Sequence, residues 1–541
     1  MLMKGNLRWV VVGLVALATV INYIDRQAIT VLWPAQMAPD MFPDMDADGH
    51  KAILAIISSV FIFAYAFGQA IFGKIFDWVG TRIGFALSIG IWSVATALHA
   101  FAKGVWTLSI FRALLGVAEA GNWPGAAKAN AEWFPTKERA FAQGIFNSGA
   151  AIGGIIAIPL IGYLSIYMDW KMVFILIGVL GLLWLIPWLV IVKAPPKAHS
   201  WLSEDERQYI LSGQISEDVD GDGVADEYDP STGELLSRKQ SWGVIVASAA
   251  IDPIWWLFIV WIPTYLFEVH GYNVKDLVAS GWVPFVGAMF GAWFGGLLAQ
   301  NRLSSGWNVD KTRKFVITLG CLIMLPSLLA MSITGDAGVL AVFGVDASIT
   351  TLFQDTHVKT MLSNETVKMT MENADIVKQL AGLDAAAIMA DPNVTSMLSD
   401  PKLVEAMSND VKLAAAITPE TLTALGSFEA IDHAKTVAAT LSVSLMFIIL
   451  FGFQTAIGNV QTLPSDFLGR KAVGSLSGFA GMAAKLTAFA LTLLVPIMTK
   501  GANYTSVFIL GAILALTAIA AIWFLCGKIE PLKPRGSKSA Q

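Results

Sequence analysis

The sequence predicts an all-α polytopic membrane protein with twelve transmembrane helices in two six-helix halves. Three observations carry this. Apolar residues make up 55% of the chain and charged residues only 14%, against roughly 25% charged in a soluble domain. Apolar runs of the ~20 residues that cross a hydrocarbon core recur along the whole chain. Those runs divide six and six about a polar stretch from Ala194 to Ser241, the pattern of an internal parallel repeat.

The runs lie near 9–33, 52–76, 83–102, 105–130, 140–167, 171–193, 242–267, 279–300, 314–333, 436–462, 472–498 and 503–527. The first is too long for a signal-peptide core and lacks a small-residue cleavage site, so it is expected to be retained as a helix. The division predicts an N-terminal half (1–193), a central loop (194–241), helices seven to nine (242–334), a polar insert (335–435), and helices ten to twelve with a tail (436–541). Abundant Trp, Phe and Gly suit helices packed in lipid.

Bases alternate with the spans. Arg8, Arg82, Lys137, Arg139, Lys193, Lys197, Arg302, Lys311, Arg313, Lys314, Arg470, Lys471 and Lys528 all fall on one side, whereas Asp40, Asp44, Asp46 and Asp48 mark the other. The positive-inside rule makes the basic side cytoplasmic. Both termini are then cytoplasmic, in the inner (plasma) membrane, and the 335–435 insert is external.

The two inserts carry no catalytic constellation, so an enzyme is not expected, and nothing points to nucleic acid. In the central loop, Asp218, Asp220, Asp222, Gly223, Asp226 and Asp229 stand at positions one, three, five, six, nine and twelve of a calcium loop. Asp at position twelve is shorter than the usual bidentate Glu. The alternatives are a weak calcium site and a solvated acidic linker. In the external insert, Asp391-Pro392, Asp400-Pro401 and Thr418-Pro419 read as helix N-caps followed by proline. Met397, Leu398, Leu403 and Met407 would form small buried faces. That insert is expected to be decoration or a protein-partner site. Cys321 and Cys526 are the only cysteines and build no disulfide or metal framework.

Ionisable groups at bilayer depth cost a few kcal/mol each on insertion scales and mark function. Span one holds Asp25 and Arg26. Span four holds Arg112 and Glu119, with Lys128 near its end, where it can snorkel. Adjacent helical residues point about 100° apart, so Asp25 and Arg26 can serve different neighbours. A carboxylate in a low-dielectric site takes a proton more readily, and arginine holds a carboxylate bidentately. Asp25 and Glu119 are therefore the proton-coupling candidates, and Arg26 and Arg112 the anion-binding ones. The alternative is an interhelical ion pair that only fixes packing. Tyr65 and Gln69 share one face of span two and suit either a sugar-like ligand or core packing with satisfied polar tips. Span seven carries Trp255, Trp256, Trp261 and Tyr265; some suit interface anchors, and Trp261 and Tyr265, one turn apart, are the better ligand candidates. Gln454 and Asn459, with Gln461, offer hydrogen bonds to a polyol or between helices. Lys485, deep in span eleven, either binds a substrate carboxylate or pairs with an acid. Asp77 and Arg82 flank a tight turn and read as a cytoplasmic latch.

Several stretches carry a family resemblance: NYIDR, GKIFDWVGTRIG, RALLGVAEA, AEWFPTKERAFAQGIFNSGAAIGG, WIPTYLFEVHGYN and PSDFLGRKAVGSLSGFAGMAA. With them the chain resembles the major facilitator superfamily, and within it the anion:cation symporters, most closely the hexuronate transporters. The resemblance implies a major facilitator fold and alternating-access import of a sugar-acid anion with protons. It implies proton coupling at Asp25 and Glu119, carboxylate handling at Arg26 and Arg112, and a sugar contact at Tyr65. Ala150 and Gly481 replace a glutamine and an asparagine of aldonate-transporting relatives, and Lys485 replaces an uncharged residue. Some hexuronate relatives lack an acid at the place of Asp25, which leaves the stoichiometry open. The expected function is import of a hexuronate or related sugar acid by proton symport. The alternatives are sodium coupling, a different mono- or dicarboxylate, or a transporter-like sensor.

Overall fold

The computed structural model describes residues 6–212, 230–334, 337–346, 373–381, 385–400, 427–468, 473–530 and 532, with single positions 349, 352, 355, 358, 367, 371 and 403. The N-terminal half comprises α1 (Leu7–Leu32), α2 (Ala47–Leu98), α3 (Val105–Glu119), α4 (Asn122–Trp133), α5 (Thr136–Tyr167) and α6 (Trp170–Ile191). After a short α7 (Glu204–Ser212) the C-terminal half runs through α8 (Lys239–His270), α9 (Val274–Ser280), α10 (Val283–Ser304), α11 (Val309–Met331), α12 (Phe428–Phe467), α13 (Val473–Met498) and α14 (Thr505–Ala520).

Eleven described helical stretches are long and apolar enough to cross a membrane, one fewer than the runs read from the sequence. The difference is span four. It is built from α3 and α4, which meet at Ala120–Gly121, so neither piece alone has the length to cross. α2 runs through two helices, spans two (Ala47–Phe76) and three (Trp78–Phe101), joined at a break at Gly80, where φ is +76°. Glycine adopts that left-handed conformation without the steric penalty of a Cβ. Large apolar side chains such as Ile110, Ile186, Leu297 and Ile497 stay exposed on the outer faces, as a lipid-facing belt requires.

Close helix contacts depend on small residues, which let backbones approach in a membrane. Gly116 of α3 sits against the Phe61 carbonyl of α2, and Gly287, Gly291 and Gly295 of α10 sit against the Phe447, Phe451 and Thr455 carbonyls of α12. The first contact sets the depth of α3 beside α2 and so positions the central site.

α1 begins and α14 ends on one face, here the terminal face. There Glu206 of α7 accepts the Leu7 and Arg8 amide hydrogens and pairs with Arg8 at 3.0 Å. On the opposite face, Lys51 joins the halves. Its Nζ donates to the Thr499 carbonyl at 2.7 Å and pairs with Asp48 at 2.9 Å and Glu268 at 3.3 Å. Tyr504 donates to Glu268 at 2.9 Å.

In the 335–435 insert, Asp391 caps the helix Pro392–Leu398, its side chain accepting from the Asn393 and Val394 amides. Met397 and Leu403 bury with Val367, Leu380 and Val394, and Leu398 packs against them. Met407, Pro401 and the Thr418-Pro419 pair lie outside the described residues.

Candidate functional site

The centre of the molecule is organised by Arg26. Asp25 and Arg26 follow each other on α1 and diverge as the helical angle dictates. Arg26 Nε and Nη2 both donate to Glu119 Oε2 of α3, at 3.1 and 3.0 Å, and Nη2 also donates to Asn22 Oδ1 at 2.9 Å. The guanidinium is ringed by four aromatic side chains, with centroids 4.8 Å away for Tyr23, 5.2 Å for Tyr65, 5.3 Å for Trp256 and 5.6 Å for Phe61. Such contacts contribute about 0.5–2 kcal/mol each. Trp256 belongs to α8, so this cage already contains a residue of the second half.

Asp25 points elsewhere. It is fully buried, and neither carboxylate oxygen completes a hydrogen bond. Thr96 of α2 and the Glu119 carboxylate are its polar neighbours. Glu119 Oε1 also lacks a partner. Arg112, one face of α3 with Glu119, is buried with Nε and Nη1 unpartnered, its guanidinium 4.4 Å from the Phe61 centroid. A buried guanidinium without a carboxylate is a costly arrangement, and an anion arriving there would relieve it.

Across Trp256 lies a second charged pair. Lys485 Nζ of α13 donates to Asp252 Oδ2 of α8 at 2.6 Å, and Trp256 Nε1 donates to the same oxygen at 3.2 Å. Lys485 also stands 5.4 Å from the Trp256 ring. One indole therefore touches both Arg26 and the Lys485–Asp252 pair.

Four sequence candidates, Arg26, Tyr65, Arg112 and Glu119, thus converge, with Asp25 beside Glu119 and Lys485 beyond Trp256. Gln69 and Gln454 are half-buried. Trp261 is buried with its Nε1 unpartnered. Two candidates have other partners. Tyr265 lies within hydrogen-bond distance of Ser442 and His270, both at 3.3 Å, and packs edge-on against Tyr504, which ties it to the opposite-face network. Asn459 accepts from Arg313 Nη1 at 2.9 Å, beside the Arg313–Asp466 pair at 2.8 Å. Its position near the C-terminal end of α12 carries it to the terminal face, away from Arg26. Arg82 reaches the Leu189 carbonyl of its own half at 3.4 Å; the Asp77 side chain lies outside the described residues, as do Asp218, Asp220, Asp222, Asp226 and Asp229. Among the described residues no group of three or more His, Cys, Asp or Glu side chains is arranged to hold a metal ion.

Asp252, Trp256, His99 and the Lys51–Glu268 pair were not singled out from sequence as site residues. Asp252 had a signal, being an acid inside an apolar span like Asp25. His99 sits beside Arg112 and stacks on Phe174 at 5.0 Å; a lone histidine in an apolar run carries less information.

Comparison with known proteins places these residues in a wider context. The family model described as Major Facilitator Superfamily matches residues 15–365. The hexuronate transporter of Escherichia coli strain K12 is 34% identical over 325 residues, covering 60% of this chain and 72% of that protein. The galacturonate transporter of Dickeya chrysanthemi is 35% identical over 327 residues, covering 60% and 90%. A probable galactarate/D-glucarate transporter, GudP, of Bacillus subtilis strain 168 is 30% identical over 348 residues, covering 63% and 74%.

Proposed function

The chain belongs to the major facilitator superfamily, a transporter family rather than an enzyme family, and from that premise we propose that it imports a hexuronate or closely related sugar acid together with a proton. The observation that carries the reading is the buried Arg112 guanidinium with unpartnered Nε and Nη1, next to a cage of aromatic side chains. Arginine's planar fork matches a carboxylate, and the Tyr65 and Trp256 faces suit a pyranose ring. Support for the substrate class comes from relatives named for hexuronate and galacturonate.

The coupling follows from the acids. A carboxylate buried without hydrogen bonds is costly when charged, so Asp25 exchanges a proton with the interior path. Glu119 holds Arg26 through a single oxygen, leaving Oε1 for a second partner or a proton. Substrate carboxylate at Arg112 competes with Glu119 for the local positive field, and proton and anion then move together. The terminal face is cytoplasmic in this scheme, and the Lys51 network closes the external side.

Uptake of labelled D-glucuronate and D-galacturonate into proteoliposomes tests the proposal. Saturable uptake that the unlabelled uronates abolish is expected. Folded protein that takes up no sugar acid would overturn it.

A further inference from the structure

The two charged pairs at the centre differ in access. Arg26 and Glu119 side chains are 4% and 0% exposed, whereas Lys485 and Asp252 are 16% and 14% exposed. Asp252 lies on α8, nearly all of whose apolar stretch is buried. Lys485 and Asp252 thus keep some accessible surface in the space one indole away from Arg26.

The charges around that space can be counted. Glu119 compensates Arg26 and Asp252 compensates Lys485. Arg112 is the cation among these groups whose Nε and Nη1 have no acceptor. With Asp25 carrying the transported proton, the set offers counter-charge for one carboxylate. Uronates and aldonates carry one. Aldarates carry a second carboxylate at the far end of the same carbon chain, and that end would meet a lysine already neutralised.

We infer that the Asp252–Lys485 pair is a selectivity element that restricts the site to singly charged sugar acids. In it Lys485 donates to and Asp252 accepts from substrate hydroxyls, while Asp252 denies Lys485 to a second carboxylate. This rests on the sugar-acid reading above and goes beyond it, because that reading leaves the charge of the substrate open. Specificity here comes as much from the occupied counter-ion as from attraction.

The test uses the purified full-length protein and two ligands of equal carbon number, D-glucuronate and D-glucarate, with affinity read by calorimetry and by competition against labelled glucuronate. The wild type is expected to bind glucuronate and to bind glucarate at least tenfold more weakly. Asp252→Asn keeps the shape and removes the charge; it should raise the affinity for glucarate relative to glucuronate at least tenfold. The double variant D252N with Lys485→Gln removes both charges and should regain the wild-type preference. Glucuronate binding by D252N with glucarate still excluded overturns the inference alone, as does a double variant that admits glucarate. Should D252N misfold, Asp252→Ser replaces it with the same expected rise in relative glucarate affinity, and an unchanged preference overturns the inference. A wild type that binds no singly charged sugar acid overturns the sugar-acid reading, and the inference falls with it.

Discussion

Replacing Glu119 by glutamine separates binding from coupling. Two of the three Arg26 hydrogen bonds end on Glu119 Oε2, at 3.0 and 3.1 Å. The amide oxygen of glutamine can accept the same two N–H groups, so the packing of α1 on α3 survives. The guanidinium stays charged, so both bonds remain charge-assisted; what is lost is the counter-ion. Leaving one partner of a buried ion pair uncompensated costs about 3–5 kcal/mol, roughly 150–5,000-fold in an equilibrium constant, and the guanidinium is left with an uncompensated charge. A substrate carboxylate should then bind as tightly as in the wild type or more so. Glu119→Gln can no longer release a proton from this position. In proteoliposomes with an inward proton gradient, concentrative uronate uptake should fall at least tenfold, while exchange of internal unlabelled for external labelled substrate persists. Gradient-driven accumulation at the wild-type level would refute the coupling role of Glu119. Loss of exchange as well, in folded protein, would show that Glu119 serves binding instead.

Other substitutions probe the remaining parts. Arg112→Ala removes the unpartnered guanidinium and should weaken uronate binding at least tenfold in calorimetry, with thermal stability unchanged or raised, because a buried unpaired charge is removed; undiminished binding would take Arg112 out of the anion site. Lys51→Met breaks contacts to Glu268, Asp48 and the Thr499 carbonyl. Breaking a buried ion pair costs about 3–5 kcal/mol, so the face closed by Lys51 should open. Ser59 is buried with its hydroxyl 3.5 Å from the Phe489 carbonyl across the two halves; a Ser59→Cys reporter there should label with a membrane-impermeant thiol reagent several-fold faster than with Lys51 intact. Unchanged labelling would remove Lys51 from the closure. Asn459→Ala loses one hydrogen bond to Arg313 and should lower thermal stability by about 1 kcal/mol without altering the competition profile among sugar acids; a changed profile would return Asn459 to the substrate site.

Much of this was legible in the sequence because lipid makes the code simple. Apolar run length announced the spans, and polar groups within the runs stood out because a bilayer tolerates few of them. Arg26, Glu119 and Arg112 could be grouped before any coordinates. What periodicity could not supply is which neighbour each side chain meets. Pro124, four residues beyond Ala120, is the local signal for the break at Ala120–Gly121; apolar run length alone passes over it, so span four read as continuous. Asn459 looks like Gln454 in sequence, yet its partner is Arg313 of α11, a contact no spacing announces. Lys485 was ambiguous until Asp252 appeared opposite it, since the two lie 233 residues apart. Trp256 read as one of several span-seven aromatics, and its role as the ring shared by both halves depends on how those halves meet.

The central claim, that a sugar-acid anion and a proton cross together, is tested most directly by proton movement that the substrate itself drives. Proteoliposomes holding a pH-sensitive dye, with no imposed gradient, receive external D-glucuronate or D-galacturonate. The account predicts acidification of the interior on substrate addition, absent in protein-free vesicles and abolished in Asp25→Asn and Glu119→Gln. Uronate uptake that leaves the internal pH unchanged, or that requires an inward sodium gradient, would contradict it.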